Sequence, residues 1–70
     1  MNVENLKSAR KGKGMTQKDV STKLNISPNT YKNYEQGLRE PNGDTIVALA
    51  TLFDVSTDYL LGKVALHVSA

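Results

Sequence analysis

The segment from Met15 to Gly37 constrains the fold most, because a signal for the start of a helix occurs in it twice. The signal is an apolar residue, then a residue whose side chain caps a helix, then a second apolar residue five positions after the first. The first set is Met15, Thr16 and Val20, and the second set is Ile26, Ser27 and Tyr31. Pro28 follows at the first helical position, where a missing N–H costs nothing. The segment therefore predicts two short, consecutive helices, which is the pattern of a helix-turn-helix.

Apolar spacing and capping residues predict three more helices around this pair. Val3, Leu6 and Ala9 recur three residues apart in the first of them, and glycines follow it. A later stripe has the spacing of a buried helix face, at Ile46, Leu49, Ala50 and Phe53. The predicted helices run from about residue 3 to Lys11, from Gln17 to about Leu24, from Pro28 to about Gln36, from the Asn42 cap, and from the Ser56 cap to Gly62.

Length and composition favour one small domain without disulfide bonds or a cysteine-based zinc site. A core of 70 residues supplies only about 3–5 kcal/mol, so stabilisation by a partner subunit is expected. The absence of cysteine excludes disulfides and favours a reducing compartment. The polar N-terminus does not resemble a signal peptide, and no apolar run approaches the roughly 18 residues that a membrane span needs. We expect a soluble, cytoplasmic protein.

The charges are unevenly distributed along the chain. Residues 1–35 carry seven lysine or arginine side chains against three acidic ones, a net charge of +4, whereas residues 36–70 carry a net charge of −2. The basic half contains the predicted helix-turn-helix, whose second helix has the shape to enter the major groove of DNA. An ordinary solvated surface is the alternative interpretation, but basic charge on this half suits phosphate binding.

Several short motifs, taken in order, resemble the lambda-repressor-like, Cro/C1-type (XRE) helix-turn-helix family of bacterial and phage regulators. The matching fragments are Leu6-Lys7, Arg10, Met15-Thr16-Gln17, Leu24-Asn25-Ile26-Ser27, Tyr34-Glu35-Gln36-Gly37, Arg39-Glu40-Pro41, Phe53-Asp54-Val55-Ser56 and Asp58-Tyr59-Leu60-Leu61-Gly62. The resemblance implies an all-α, compact five-helix domain over residues 1–62, with the helix-turn-helix at about 16–37 and a tail at 63–70. It also implies a transcriptional regulator, most simply a repressor, acting on the bacterial nucleoid.

The same resemblance and the chemistry of the side chains predict which residues contact double-stranded DNA. Gln17 resembles a family glutamine that binds the phosphate backbone at the start of the second helix. Asn29 and Asn33 lie one turn apart, and an asparagine amide can form two hydrogen bonds with adenine. The full predicted set is Gln17, Ser27, Pro28, Asn29, Thr30, Lys32, Asn33 and Arg39. The alternative is that the asparagines and lysine of this helix are merely solvated, and that Ser27 is only a cap.

The family pattern places an arginine near the end of the first helix opposite a glutamate near the end of the third. Arg10 and Glu35 occupy these positions, and we expect them to form an ion pair that orients the recognition helix. The alternative is two unrelated surface charges, worth under about 1 kcal/mol.

The chain departs from the family pattern at three positions of the motif. Asn25 replaces a common glycine, which asparagine tolerates because it enters the left-handed region readily. Ser21 replaces a common alanine, and its hydroxyl needs an acceptor such as the carbonyl one turn earlier. Tyr31 replaces a branched aliphatic residue, which bears on how far the third helix lies from the core. The spacing of Tyr31 and Tyr34 favours partial burial against the second helix over base stacking, with a hydroxyl left in water or bound to phosphate.

A homodimer is expected, because a single module of this class buries only roughly 600–1,000 Å² on DNA. The candidate contacts lie in the fifth helix, the loop before it and the alternating tail, at Val55, Tyr59, Val64 and Leu66. A frayed terminus is the alternative for the tail.

Enzymatic function has little support in the sequence. The single histidine, His67, lies in the tail without a nucleophile beside it, and we predict no cofactor, metal or small-molecule ligand. A different class of function stays open, in which the domain is a protein-interaction module such as the antitoxin of a toxin–antitoxin pair.

Overall fold

A computed structural model describes residues 1–63 as five α-helices, with no β-strand among those residues. In chain order the helices are α1 (Val3–Gly12), α2 (Gln17–Leu24), α3 (Pro28–Glu35), α4 (Gly43–Phe53) and α5 (Thr57–Leu61). The five predicted helices are confirmed, and their ends differ from prediction by about one residue. The all-α, five-helix fold class is likewise confirmed.

Each helix begins at a residue whose side chain accepts a hydrogen bond from the backbone N–H three positions later. These caps are Asn2, Thr16, Ser27, Asn42 and Ser56. Such a cap contributes roughly 1 kcal/mol, because it satisfies a donor that the helix itself leaves free. The last four were predicted from the sequence, and local capping chemistry therefore determines where the helices of the motif start.

The core forms where the apolar faces of the helices meet. Its buried apolar residues are Leu6, Ala9, Val20, Tyr31, Tyr34, Leu49, Ala50, Phe53 and Leu60. Met15 and Ile26, which precede the caps of α2 and α3, pack against this core as the staple pattern requires. The same residues that mark the helix starts therefore also anchor the motif to the rest of the domain.

The turn between α2 and α3 is tight. Asn25 adopts the left-handed conformation (φ 56°, ψ 44°), and the N–H of Ile26 donates to the carbonyl of Ser21 at 3.0 Å. The buried Ser21 hydroxyl donates to the carbonyl of Lys18 at 2.9 Å, which confirms that it needs an acceptor one turn earlier. Asparagine and serine thus replace the usual small residues without loss of the close packing of α2 on α3.

The two ends of the described chain are joined by hydrogen bonds between α1 and α5. The N–H of Asn2 donates to the carbonyl of Leu60 at 2.8 Å, and the side-chain amide of Asn5 donates to the carbonyl of Tyr59 at 2.8 Å. These bonds fix α5 against the start of α1.

Gly62 is expected to be the glycine least tolerant of substitution. Its φ is +77°, and an added Cβ would lie 3.1 Å from the Cβ of Asn2, the cap of α1. Gly62→Ala is therefore expected to lower the free energy of unfolding by about 1–2 kcal/mol in urea titrations. Gly12→Ala is the matched control, because nothing lies near its added Cβ, and it is expected to be neutral or to stabilise by up to about 1 kcal/mol. Equal effects of the two changes would contradict this account.

Within residues 1–63, no helix is both long and apolar enough to cross a membrane. Residues 64–70, which include the predicted tail contacts Val64 and Leu66, lie outside the described residues.

Candidate nucleic-acid interface

Helix α3 has one buried face and one open face. Tyr31, Tyr34 and Glu35 are at most 7 % exposed and hold the helix against the domain. On the other side, Pro28, Asn29 and Lys32 are exposed, and Asn33 and Thr30 are half-buried. None of these predicted contact residues is packed in the core, so their side chains lie wholly or partly at the surface of the domain.

The start of α3 carries a pair of hydroxyl groups. The exposed Ser27 caps the helix by accepting the Thr30 N–H at 3.1 Å, and the Ser27 and Thr30 hydroxyls are hydrogen-bonded to each other at 2.8 Å. Ser27 is therefore a cap. Its hydroxyl lies at the N-terminal end of α3, the end at which Asn29 also lies.

The start of α2 is held by a reciprocal capping arrangement. The Thr16 hydroxyl accepts the Asp19 N–H at 3.0 Å, and the Asp19 carboxylate accepts the Thr16 N–H at 2.9 Å. This backbone hydrogen bond lowers the pKa of Asp19. Gln17 is the next residue after the cap and is half-buried, and its side-chain amide donates to Glu35 at 3.0 Å. That bond places the start of α2 beside the end of α3.

Arg10 and Glu35 form a close ion pair between α1 and α3. The Arg10 Nε lies 2.6 Å from Glu35 Oε2, and Nη2 lies 3.2 Å from Oε1. The Arg10 Nη1 also donates to the carbonyl of Met15 at 2.9 Å. The Arg10 side chain is 13 % exposed and that of Glu35 is 2 % exposed, so the alternative of two unrelated surface charges does not hold.

The environment of Glu35 keeps its carboxylate ionised despite burial. Burial opposes ionisation, but hydrogen bonds from Arg10 and Gln17, with the Tyr31 hydroxyl close by, outweigh it and lower the pKa of Glu35. The hydrogen bond to Glu35 also raises the pKa of Arg10. The pair is therefore charged on both sides at neutral pH.

The prediction that the Tyr31 hydroxyl remains in water or binds phosphate is wrong. Tyr31 is 0 % exposed, and its hydroxyl is buried without a hydrogen bond of normal geometry. Burial, followed by the neighbouring Glu35 carboxylate, raises the pKa of Tyr31. Its ring meets that of Tyr34 edge to face, with centroids 6.3 Å apart, so the core accommodates a tyrosine where a smaller aliphatic residue is usual.

Two exposed cations lie at the open side of the motif and in the loop after α3. Lys32 and Arg39 are exposed, and within residues 1–63 neither has an acidic partner within 4.0 Å. Cations without an acidic partner are available to neutralise phosphates.

The described part of the predicted dimer interface lies where α1 faces the end of α4 and α5. Val55 and Tyr59 are half-buried and, with Ala9 and Phe53, help to line an open groove of about 320 Å³.

Across residues 1–63, no group of acidic or histidine side chains has a metal-binding arrangement.

Sequence reasoning missed the contact between Gln17 and Glu35. Both residues were singled out, but for different roles, and the hydrogen bond depends on the side-chain conformation of Gln17. It also missed the bonds from Asn2 and Asn5 to α5. The available signal was the position of Asn5 next to the apolar Leu6, since a polar side chain beside a buried position requires hydrogen-bond partners.

The chain belongs to the Cro/C1-type (XRE) helix-turn-helix family, since a family model described as "Helix-turn-helix" matches residues 6–60. This is a family of transcriptional regulators and not of enzymes.

Similar proteins are named as regulators. The chain is 53% identical over 58 residues to the HTH-type transcriptional regulator ImmR of Bacillus subtilis, covering 83% of the chain and 46% of ImmR. It is 38% identical over 63 residues to AnsR of the same organism, covering 90% of the chain and 54% of AnsR. It is 34% identical over 60 residues to the cryptic phage CTXphi transcriptional repressor RstR of Vibrio cholerae, covering 86% of the chain and 54% of RstR. The chain thus spans about half the length of these relatives.

Proposed function

We propose that this chain is a sequence-specific DNA-binding domain of a transcriptional regulator, which acts on the bacterial chromosome or a prophage in the cytoplasm. The observation that carries the proposal is that α3 has one buried face and one exposed face. One side is anchored by Tyr31, Tyr34 and Glu35, and the other exposes Asn29 and Lys32. A short helix held in this way can present amides to base edges in the major groove.

The predicted contacts divide into positioning and reading roles. Gln17, with the free N–H groups of the first turn of α2, binds a backbone phosphate, and Arg39 binds another from the loop after α3. Asn29 and Asn33 read bases, while Thr30 and Lys32 contact a thymine methyl group, a guanine edge or a phosphate. Ser27 and Pro28 bring the start of α3 close to the duplex.

We further propose that the domain binds a palindromic operator as a homodimer and represses by occluding a promoter. The groove between α1 and the region from the end of α4 to α5 supports a second copy as its occupant, because Ala9, Phe53, Val55 and Tyr59 give it an apolar part beside the charged Lys13 and Asp54. Val64 and Leu66 belong to the same proposed interface. The similarity to RstR, a transcriptional repressor, supports repression as the direction of regulation.

Selection of bound duplexes from a random DNA pool tests this function. We expect an inverted repeat with half-site centres about 34–36 Å apart, since a two-fold dimer presents two copies of α3 one helical turn apart. Asn33→Ala is expected to relax one base position by about 1–3 kcal/mol. Gln17→Ala is the matched comparison, and is expected to weaken all sequences about equally.

An unchanged motif after Asn33→Ala would exclude base reading by that side chain. A selected motif without two-fold symmetry would contradict the homodimer, and the absence of any enriched sequence would contradict sequence-specific binding altogether.

A further inference from the structure

The Glu35 carboxylate joins three helices. It belongs to α3, accepts hydrogen bonds from Arg10 on α1 at 2.6 and 3.2 Å, and accepts one from Gln17 on α2 at 3.0 Å. It is 2 % exposed, so water does not compete for these bonds. The Glu35 carboxylate therefore connects its ion pair with Arg10 to Gln17, the first residue of α2.

This contact fixes the orientation of the Gln17 amide. A carboxylate only accepts hydrogen bonds, so Gln17 must direct its Nε2, and not its oxygen, toward Glu35. The nitrogen has two hydrogens in the plane of the amide, and the bond to Glu35 uses one. The second N–H remains available at the N-terminal end of α2, where backbone N–H groups also favour an anion.

The ion pair makes this arrangement compatible with a nearby phosphate. A lone buried carboxylate beside the Gln17 amide would repel any anion bound by the same nitrogen. Arg10 forms hydrogen bonds with both oxygens of Glu35 and compensates its negative charge. Glu35 can therefore orient the Gln17 amide with little repulsion of a phosphate bound nearby.

We propose that Glu35 is a positioning residue for DNA binding, which acts through Gln17 by holding one amide N–H inward and leaving the other for a backbone phosphate. The inference rests on the proposed function, because it concerns how Gln17 meets DNA. It assigns to Glu35 a role beyond its ion pair with Arg10.

A pair of double variants separates this role from folding. Arg10→Met with Glu35→Leu removes both charges, and such apolar replacement of a buried ion pair is often neutral for stability. Arg10→Met with Glu35→Gln also removes both charges but keeps an oxygen that can accept from Gln17. Thermal melts establish that both variants are folded at the temperature of the binding assay.

Affinity for a selected duplex is the first measurement. The variant with leucine is expected to bind about three- to tenfold more weakly than the wild type, the range expected for the loss of one ordinary hydrogen bond. The variant with glutamine is expected to remain within about twofold, since one hydrogen bond is retained. Adding Gln17→Ala to the leucine variant is expected to change its affinity by less than about twofold, because the two changes remove the same contact.

The side-chain amide protons of Gln17 provide a readout that does not need DNA. In the wild type, NMR is expected to show one slowly exchanging Nε2 proton, which the leucine variant loses. Gln36 is the internal control, because it is exposed at the C-terminal end of α3 and its side-chain amide is expected to exchange rapidly in both proteins.

Three outcomes would overturn the inference. Wild-type affinity in the leucine variant, or a full further loss on adding Gln17→Ala, would show that Glu35 does not act through Gln17 and would leave the proposed function intact. A wild-type chain that binds no duplex would contradict the proposed function, and this inference with it.

Discussion

Arg10→Met is expected to lower the free energy of unfolding by about 3–5 kcal/mol, because it leaves a buried carboxylate without its cation. Glu35 is 2 % exposed and cannot turn toward water without displacing α3 from the core. A domain of this size is stabilised by only about 3–5 kcal/mol in total. The single variant should therefore be largely unfolded in thermal melts near room temperature.

Glu35→Leu is expected to cost less, about 1–3 kcal/mol, since the Arg10 side chain is already 13 % exposed and can reach water. The double variant is expected to be close to the wild type, so the thermodynamic cycle should give a large favourable coupling between the two residues. A coupling near zero would show that the pair contributes nothing to stability.

The pH dependence of stability gives an independent check on the same pair. Folding lowers the pKa of Glu35 below its ordinary value of 4.5, so the pair stabilises the wild type above that pH and is lost as the pH falls through the folded value. The double variant Arg10→Met with Glu35→Leu, which is expected to be folded, lacks the carboxylate and therefore this contribution. It should lose less stability than the wild type on acidification below the ordinary glutamate pKa. Equal acid sensitivity of the two proteins would contradict this assignment.

Raising the salt concentration from about 50 to 200 mM is expected to weaken DNA binding by roughly 10³- to 10⁵-fold, as for about 6–10 phosphate contacts per dimer. The basic half of the chain contains the motif, and the exposed Lys32 and Arg39 lie without acidic partners within 4.0 Å among residues 1–63. Binding of cations to phosphates releases condensed counterions, which makes the affinity steeply dependent on salt.

Mobility-shift titrations across this range measure the slope, and Arg39→Ala should reduce it by about one phosphate contact per subunit. Lys18→Ala is a suitable comparison, since Lys18 is also exposed and on the motif but is not among the predicted contacts. A protein partner bound with little salt dependence, and no shift of DNA, would favour an antitoxin-like interaction module instead.

The helix starts were predictable from the sequence because they depend on local chemistry. Thr16, Ser27 and Asn42 each cap a helix through a bond spanning three residues, and such bonds need no knowledge of the tertiary structure. The pairing of Arg10 with Glu35 spans 25 residues and was predicted only from the family pattern.

Tertiary packing decided the features that the sequence did not predict. Tyr31 was expected to keep its hydroxyl at the surface, but the whole side chain is buried. Gln17 was predicted as a phosphate contact, and its hydrogen bond to the buried Glu35 on α3 was not predicted. Both results depend on side chains brought together by packing, which local spacing does not specify.

The three-residue connection between α2 and α3 has a mechanical consequence. The Asn25 N–H, with Asn25 in the left-handed region, bonds to carbonyls at the end of α2, and the Ser27 side chain caps α3. A change in the angle between the two helices would therefore break hydrogen bonds on both sides of this turn. In the proposed dimer, the rigid helix-turn-helix would leave any mismatch with a half-site to be accommodated by bending of the duplex or by movement between the subunits. Operators rich in easily kinked pyrimidine–purine steps between the half-sites should then be favoured at base pairs that no side chain touches.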